Sequence, residues 1–493
     1  MARLVLLMAF VCWTSAPALA EDAPAKLGRR NVVLIVADDL GLQLGCYGDK
    51  LARTPNLDRL AASSTRFTRA CCTTASCSAS RSVLLTGLYN HATGHYGHSH
   101  ERNHFSTLDG VRSLPVLLSE SGYRTCSIGK YHVAPESVYH FDAYRNEGTQ
   151  GDRHTLRMAW NAKEWIAEKD SRPFFLYFCP ADPHRGRGPG GFANYNDQPG
   201  YYPGIESVKF SPQAMSVPSW LPDLPETRQE LAEFYQATAR LDAGIGALLD
   251  ALQSTGHAQD TLVIFLSDNG APFPGAKTTL YEPGINLPLI VRDPRATRRG
   301  ITCDARACWA DITPTILDFC EVTPPSAPPI LPIGSGMSPH AVPGKKVPYT
   351  LHGRSFLKTL DQEHPAGWDE VYLSHTFHEV INYYPMRGVI RGKYKYLVNL
   401  AHPLSFPFAF DLNTSATWQA VKQRGEKRYG LRTVEGYLHR PRYELYDLTT
   451  DPNELHNLAD DPRHRQTVDD LQTRLAAWQK QTQDPWILKY DYE

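Results

Sequence analysis

The sequence predicts an α/β sandwich with a large mixed, mostly parallel sheet flanked by helices, followed by a smaller C-terminal α+β domain with an antiparallel sheet. Three observations carry this. Apolar runs without polar alternation recur along the first two thirds of the chain, which is the pattern of strands buried on both faces. Helical periodicity lies between them, as an alternating β/α order requires. After residue 323 the composition turns to Pro and Gly, and shorter strand patterns follow.

In chain order, Val32–Val36 is the first run and ends in Asp38-Asp39. Helical patterns follow around 56–63, 78–88 and 114–121. A further helical pattern at 156–168 precedes the run Phe174–Phe178, which leads into Asp182-Pro183-His184-Arg185. A long helical segment from Glu226 to about Ser254 comes before Leu262–Leu266, which ends in Ser267-Asp268-Asn269-Gly270, and Leu289–Val291 is close behind. The stretch 324–348 reads as a long surface loop. Beyond it, 389–391 and 394–398 read as short strands and 462–480 as a final helix. The predicted organisation is a signal segment at 1–20, a catalytic domain at 29–365 and the smaller domain at 366–493.

With 493 residues the chain can bury a large core, and its net charge of -1 supplies no field to recruit nucleic acid. Arg3, the apolar stretch 4–13 and Ala18-Leu19-Ala20 form a secretory signal pattern, too short to span a bilayer. The expectation is an exported protein without a membrane span, periplasmic or secreted in a bacterium and lysosomal in a eukaryote. One glycosylation sequon, Asn413-Thr414-Ser415, favours the bacterial case. Of ten cysteines, nine follow the signal, so at least one is unpaired or modified. No C-x-x-C pair supports a zinc or redox motif.

Two features carry chemistry. Asp38, Asp39, Asp268 and Asn269 stand at the ends of two predicted strands, where ligands bind in such sheets. Taken singly these are also ordinary turn residues; together their oxygens suit Ca²⁺ or Mg²⁺ rather than zinc. Cys77 precedes a helical run with Val83, Leu84, Leu85 and Leu88 at core spacing. It therefore sits at a helix N-terminus that favours an anion, with Arg81 one turn on. A buried thiol beside a solvated arginine would look the same.

Cys77-Ser-Ala-Ser-Arg-Ser-Val-Leu-Leu-Thr-Gly87 and Gly122-Tyr-Arg-Thr-Cys-Ser-Ile-Gly-Lys-Tyr-His132 resemble the two signatures of the type I sulfatases, in the alkaline phosphatase superfamily. The Asp-Asp and Ser-Asp-Asn-Gly strand ends and the C-terminal stretch 444–458 match in order. Within the family, 182–185, 272–284 and 378–387 are most similar to the branch that hydrolyses N-sulfated glucosamine. The resemblance implies an alkaline-phosphatase-like fold and hydrolysis of the N-sulfate of terminal N-sulfoglucosamine in heparin or heparan sulfate fragments. It implies that Cys77 is oxidised to Cα-formylglycine, whose hydrated aldehyde is the nucleophile. It implies one Ca²⁺ on Asp38, Asp39, Asp268, Asn269 and the modified Cys77. Arg81, Lys130 and Lys277 would offset charge at the sulfuryl group, His132 would take the diol proton, and His184 would protonate the leaving nitrogen.

His378, Glu379 and Arg387 are expected to reach the glycan from the second domain. The histidines at 91, 95, 98, 100 and 104 form a loop that binds a soft metal, lines the sugar pocket or is simply polar. Partners implied are a sulfated saccharide and a maturation enzyme, and a homodimer is admitted. Ala79 departs from the proline common in the first signature, which favours an anaerobic radical maturase over the oxygen-dependent one. The alternatives are an O-sulfatase on another sulfated glycan, a phosphodiesterase or phosphonate hydrolase, and an unmatured homologue that only binds glycans.

Overall fold

The computed structural model describes residues 30–186, 191–195, 198, 200–324 and 350–488. The signal segment and residues 325–348 of the Pro/Gly-rich stretch lie outside them. The main sheet has eight strands: β1 Asn31–Ala37, β2 Thr65–Phe67, β3 Arg124–Gly129, β4 Ala143–Tyr144, β5 Phe174–Cys179, β6 Thr261–Ser267, β7 Leu289–Arg292 and β8 Ile301–Cys303. Their order is β4-β3-β5-β1-β6-β7-β2-β8. β1 pairs in parallel with both β5 and β6, and β3 with β5. β7 is antiparallel to β6 and β2, so the apolar run at 289–291 supplies the mixed part of the sheet.

The unbroken apolar runs are explained by what covers them. Along β1, Val32, Leu34 and Val36 join one core cluster, while Val33, Ile35 and Ala37 join the other. Each layer therefore demands an apolar side chain at every position, and all seven residues of β1 are buried. The helix Pro225–Ser254 packs on one face together with Thr155–Ile166, and Cys77–Thr86 packs on the opposite face.

The second sheet comprises β9 Glu370–His375, β10 Met386–Arg391, β11 Tyr394–Asn399 and, after the hairpin β12 Arg428–Tyr429 and β13 Arg432–Thr433, β14 Tyr443–Asp447. It is antiparallel in the order β14-β11-β10-β9. Met386 and Ile390 of β10 face the main core, while Val389 packs under the helix Arg465–Gln481 with Val468, Leu471, Leu475 and Trp478. Period-two alternation thus seats this sheet between the main-sheet core and its own helix. Among the described residues no helix is long and apolar enough to cross a membrane. All nine described cysteines are free thiols, and eight of them are buried.

Candidate active site

The register Ala37↔Ser267 places the two strand-end pairs, Asp38-Asp39 and Asp268-Asn269, side by side at one edge of the sheet. They interlock directly. The Asp39 and Asn269 backbone N–H groups donate to Asp268 Oδ1 at 3.0 and 2.8 Å, and Asn269 Nδ2 donates to Asp39 Oδ1 at 2.7 Å. Asp39 has φ 61, a left-handed conformation costly for aspartate and held by these bonds.

The helix Cys77–Thr86 starts immediately beside them. Its N-cap Ser76 makes no side-chain capping bond, because its hydroxyl pairs with His378 Nδ1 at 3.0 Å. The helix is buried on every side, not along one apolar stripe. Its polar residues are satisfied internally: Ser80 Oγ donates to the Asp268 carbonyl at 2.6 Å, and Ser82 Oγ pairs with Tyr139 Oη at 2.7 Å. Cys77 Sγ lies 3.6 Å from Asp39 Oδ1. Burial pushes the Cys77 thiol well above its usual range, so the residue as cysteine is a poor thiolate nucleophile.

Arg81 is fully buried; its Nε donates to Asp268 Oδ2 at 3.0 Å and its Nη2 lies 3.6 Å from Asp38 Oδ1. Lys130, just past β3, reaches Asp38 Oδ2 at 2.6 Å. Lys277 Nζ donates to Asp39 Oδ2 at 2.9 Å, to Asp411 Oδ2 at 2.8 Å and to His184 Nε2 at 3.2 Å. Burial alone would raise the Asp38 carboxyl, but Lys130, His184 and Arg81 outweigh it and hold it well below its usual range. Asp268 goes the other way, raised to about 7 by burial and by its neighbour Asp38. Burial also lowers His132 and His184, reinforced by Lys130 and Lys277 respectively.

The donor set suits an oxygen-bound cation. Asp38 Oδ1 and Asn269 Oδ1 are buried and accept no hydrogen bond, and ligand atoms of Asp38, Asp39, Cys77 and His184 lie within 4.8 Å of one another. Orphaned carboxylate and amide oxygens at one point are what a hard divalent cation takes up, so the residues fit Ca²⁺. Asp268 stands behind this point, both its oxygens already engaged by Arg81 and backbone N–H groups.

His132, His184, Lys130 and Lys277 line one cavity of 1170 Å³ together with His98, His100, His378 and Glu379. Of the expected glycan contacts, His378 and Glu379 are there. Arg387 is not: it is fully buried in β10 and forms a two-pronged ion pair with Asp484 at 2.6 and 2.9 Å. The expectation failed because an arginine near a site motif looks the same in sequence whether it faces a cavity or a buried carboxylate. The histidine loop divides likewise. His98 and His100 line the cavity, while His91 is buried between Ser374 and Thr482.

Two supports were not legible. Asp411, in the short helix Phe410–Asn413, reaches across to Lys277. Asp182 accepts from Arg240 at 2.7 Å and from Arg153 at 2.8 Å, which fixes the turn carrying His184. Asp182 could have been suspected from its place at a strand end; nothing in the sequence marks Asp411.

A buried cysteine at a helix start, a carboxylate cluster at the sheet edge and converging cations are the makings of a hydrolase of anionic esters. The Sulfatase family model matches residues 30–322, and the chain belongs to the sulfatase family. It is 39% identical over 480 residues to human N-sulphoglucosamine sulphohydrolase, covering 94% of this chain and 92% of that one. It is 23% identical to an N-acetylglucosamine-6-O-sulfatase of Bacteroides thetaiotaomicron, covering 94% and 89%. Among solved structures, a complex with D-glucosamine-2-N,6-O-disulfate superposes with a TM-score of 0.64 at 20% identity, covering 92% and 98%. A phosphonate monoester hydrolase of Agrobacterium radiobacter gives 0.63 at 20%, covering 92% and 96%. These two structures show the fold alone. The chain is a hydrolase of sulfate esters or sulfamates.

Proposed function

We propose that the chain removes the N-sulfate from terminal N-sulfoglucosamine in heparin or heparan sulfate fragments, acting outside the cytoplasm after export. The observation that carries this is the convergence of Cys77, Arg81, Lys130, His184 and Lys277 on the Asp38-Asp39 pair, taken with the relative named for that substrate. Residues 29–365 would form the catalytic part and 366–493 the part that closes the cavity.

When bound, calcium on Asp38, Asp39, Asp268, Asn269 and residue 77 would supply a Lewis acid, and maturation of Cys77 to formylglycine would supply the nucleophile. The chain's own residues do the rest. Arg81, Lys130 and Lys277 hold three positive charges around the Asp38-Asp39 pair, where they offset the negative charge of the sulfuryl group. His132 takes a proton from the nucleophile.

His184 is positioned for proton transfer at the leaving nitrogen. Its Nδ1 faces the Arg185 carbonyl and so carries the ring proton, leaving Nε2 to accept from Lys277. His184 acts as the acid once Nε2 has taken up a proton from the solvent in the open cavity; it passes that proton to the departing nitrogen, while Lys277 contacts the sulfuryl oxygens. His378 and Glu379 bound the sugar site. An O-sulfatase reading has the weaker relatives behind it, such as the one named for a 6-O-sulfate at 23% identity.

Sulfate release from N-sulfoglucosamine and from 6-O-sulfated N-acetylglucosamine, with Cys77→Ala as control, tests the proposal. Faster release from the O-sulfated sugar would overturn the substrate, and turnover by Cys77→Ala would overturn the mechanism. Peptide mass spectrometry of residue 77 in the active protein reports whether Ala79 permits maturation, and by which maturase when the two are co-expressed in turn.

A further inference from the structure

Three imidazoles from two loops meet in the cavity, as a group separate from the Asp38, Asp39, Cys77 and His184 cluster. A ring nitrogen of each of His98, His100 and His132 lies within 4.8 Å of the others, with no carboxylate in the group. We propose that these residues form a second metal site, for a borderline transition ion of the zinc class, and that filling it stops turnover. The second half rests on the proton-accepting role given above to His132; the first does not.

The cluster is built by the backbone. The His98 N–H donates to the His378 carbonyl at 2.8 Å, and the His98 carbonyl accepts from Phe105 N at 3.0 Å, which pins the residue from both sides. Gly97 allows that approach, since a Cβ there would sit 2.8 Å from the His378 carbonyl and from the Phe105 ring. His132 has φ 53, a left-handed turn that sets its ring against the other two at centroid distances of 4.9 and 4.6 Å.

One nitrogen in the cluster lacks a partner: His98 Nε2 is buried and makes no hydrogen bond, and His98 is only 6% exposed. A buried imidazole nitrogen without a partner is costly, and a metal ion is one way to satisfy it. His100 Nδ1 and His132 Nε2 are 2.6 Å apart, sharing one proton. Zinc bonds of about 2.0–2.1 Å to tetrahedral nitrogens hold ligand atoms roughly 3.3 Å apart. The His100–His132 contact needs to open by less than about 1 Å to admit the ion.

The donor set selects the ion. Nitrogen-only ligands suit Zn²⁺, Cu²⁺ or Ni²⁺ and are poor for Ca²⁺, which takes the orphaned oxygens of Asp38 and Asn269 instead. Three protein ligands leave a fourth position open to the cavity, for water or an anion. The nearby ammonium groups do not bar entry, because Lys130 is paired with Asp38 and Lys277 with Asp39 and Asp411. His100 is exposed, giving the ion a path.

The test uses the mature full chain with calcium in excess. Zinc titration by calorimetry should show one ion bound per chain at low micromolar zinc, and Co²⁺ in its place should give the intense visible spectrum of a tetrahedral nitrogen site. Losing a direct ligand should weaken binding by more than the roughly 10–100-fold typical of losing a group behind one. His100→Gln, at an exposed position, and His98→Gln should each do so. Zinc binding unchanged in both variants, or absent in the parent, would overturn the site. Zinc that binds as expected but leaves turnover unaffected would keep the site and overturn its control of His132.

Discussion

Arg387 is the residue where structure and sequence diverge most, and Arg387→Met turns that divergence into a measurement. In the folded chain its guanidinium grips both oxygens of Asp484 and donates to the His375 and Met386 carbonyls at 2.9 Å each. Asp484 also accepts from Gln479 Nε2 at 2.9 Å and Trp486 N at 3.1 Å. Both charged side chains are 0% exposed. Methionine fills the volume but leaves the Asp484 carboxylate buried without its counter-ion, a loss of about 3–5 kcal/mol. Unfolding entropy of about 2.1 cal/mol/K per residue, over the 493 residues, gives about 1 kcal/mol/K. The melting temperature should therefore fall by about 3–5 °C. The double variant Arg387→Met with Asp484→Leu should recover most of it, since paired removal leaves no orphan charge. Urea denaturation and calorimetry of all three proteins check this, alongside KM for the sulfated sugar. A raised KM with stability unchanged would refute the structural role and return Arg387 to the glycan.

Other outcomes follow from the same geometry. Asp411→Asn removes one of the two carboxylates holding Lys277, and losing a charge-assisted bond of about 1.5–3 kcal/mol should lower kcat by roughly 10–100-fold with KM little changed, read by steady-state kinetics. Calcium at 100 times its Kd should stabilise the protein by about 2.7 kcal/mol in thermal melts, and Asn269→Ala should abolish most of that shift. Burial lowers His95 to about 4 with no charged neighbour involved. Its folded form stays neutral while the unfolded chain takes up a proton, so its stabilising effect is complete above pH 6.5 and lost as pH falls towards 4. Between pH 7 and pH 5 the wild type should lose about 2 kcal/mol relative to His95→Gln, measured as the change in their denaturation gap. A gap independent of pH would show His95 titrating normally.

What was legible in the sequence is what local chemistry repeats. The apolar runs of β1, β5 and β6 had to be continuous because both faces are covered, so they announced themselves. β3 was hidden inside the second sulfatase signature, where Thr125, Ser127 and Gly129 break the apolar pattern although every residue is buried. β2, β4 and β8 have two or three residues each, too few for any period to show. In the site, residues adjacent to strand ends were recognisable as a group. Asp411 and the Arg387–Asp484 pair were not, because their meaning lies in contacts between positions 97 to 134 residues apart. Solvated and buried charges share one alphabet, and only the fold tells them apart.

The central claim is cleavage of nitrogen–sulfur rather than oxygen–sulfur bonds. Glucosamine carrying both a 2-N-sulfate and a 6-O-sulfate tests it within one molecule, with the product identified by mass spectrometry and NMR as the reaction begins. The account predicts a free 2-amine with the 6-O-sulfate retained. Loss of the 6-O-sulfate first, with the N-sulfate intact, would contradict it.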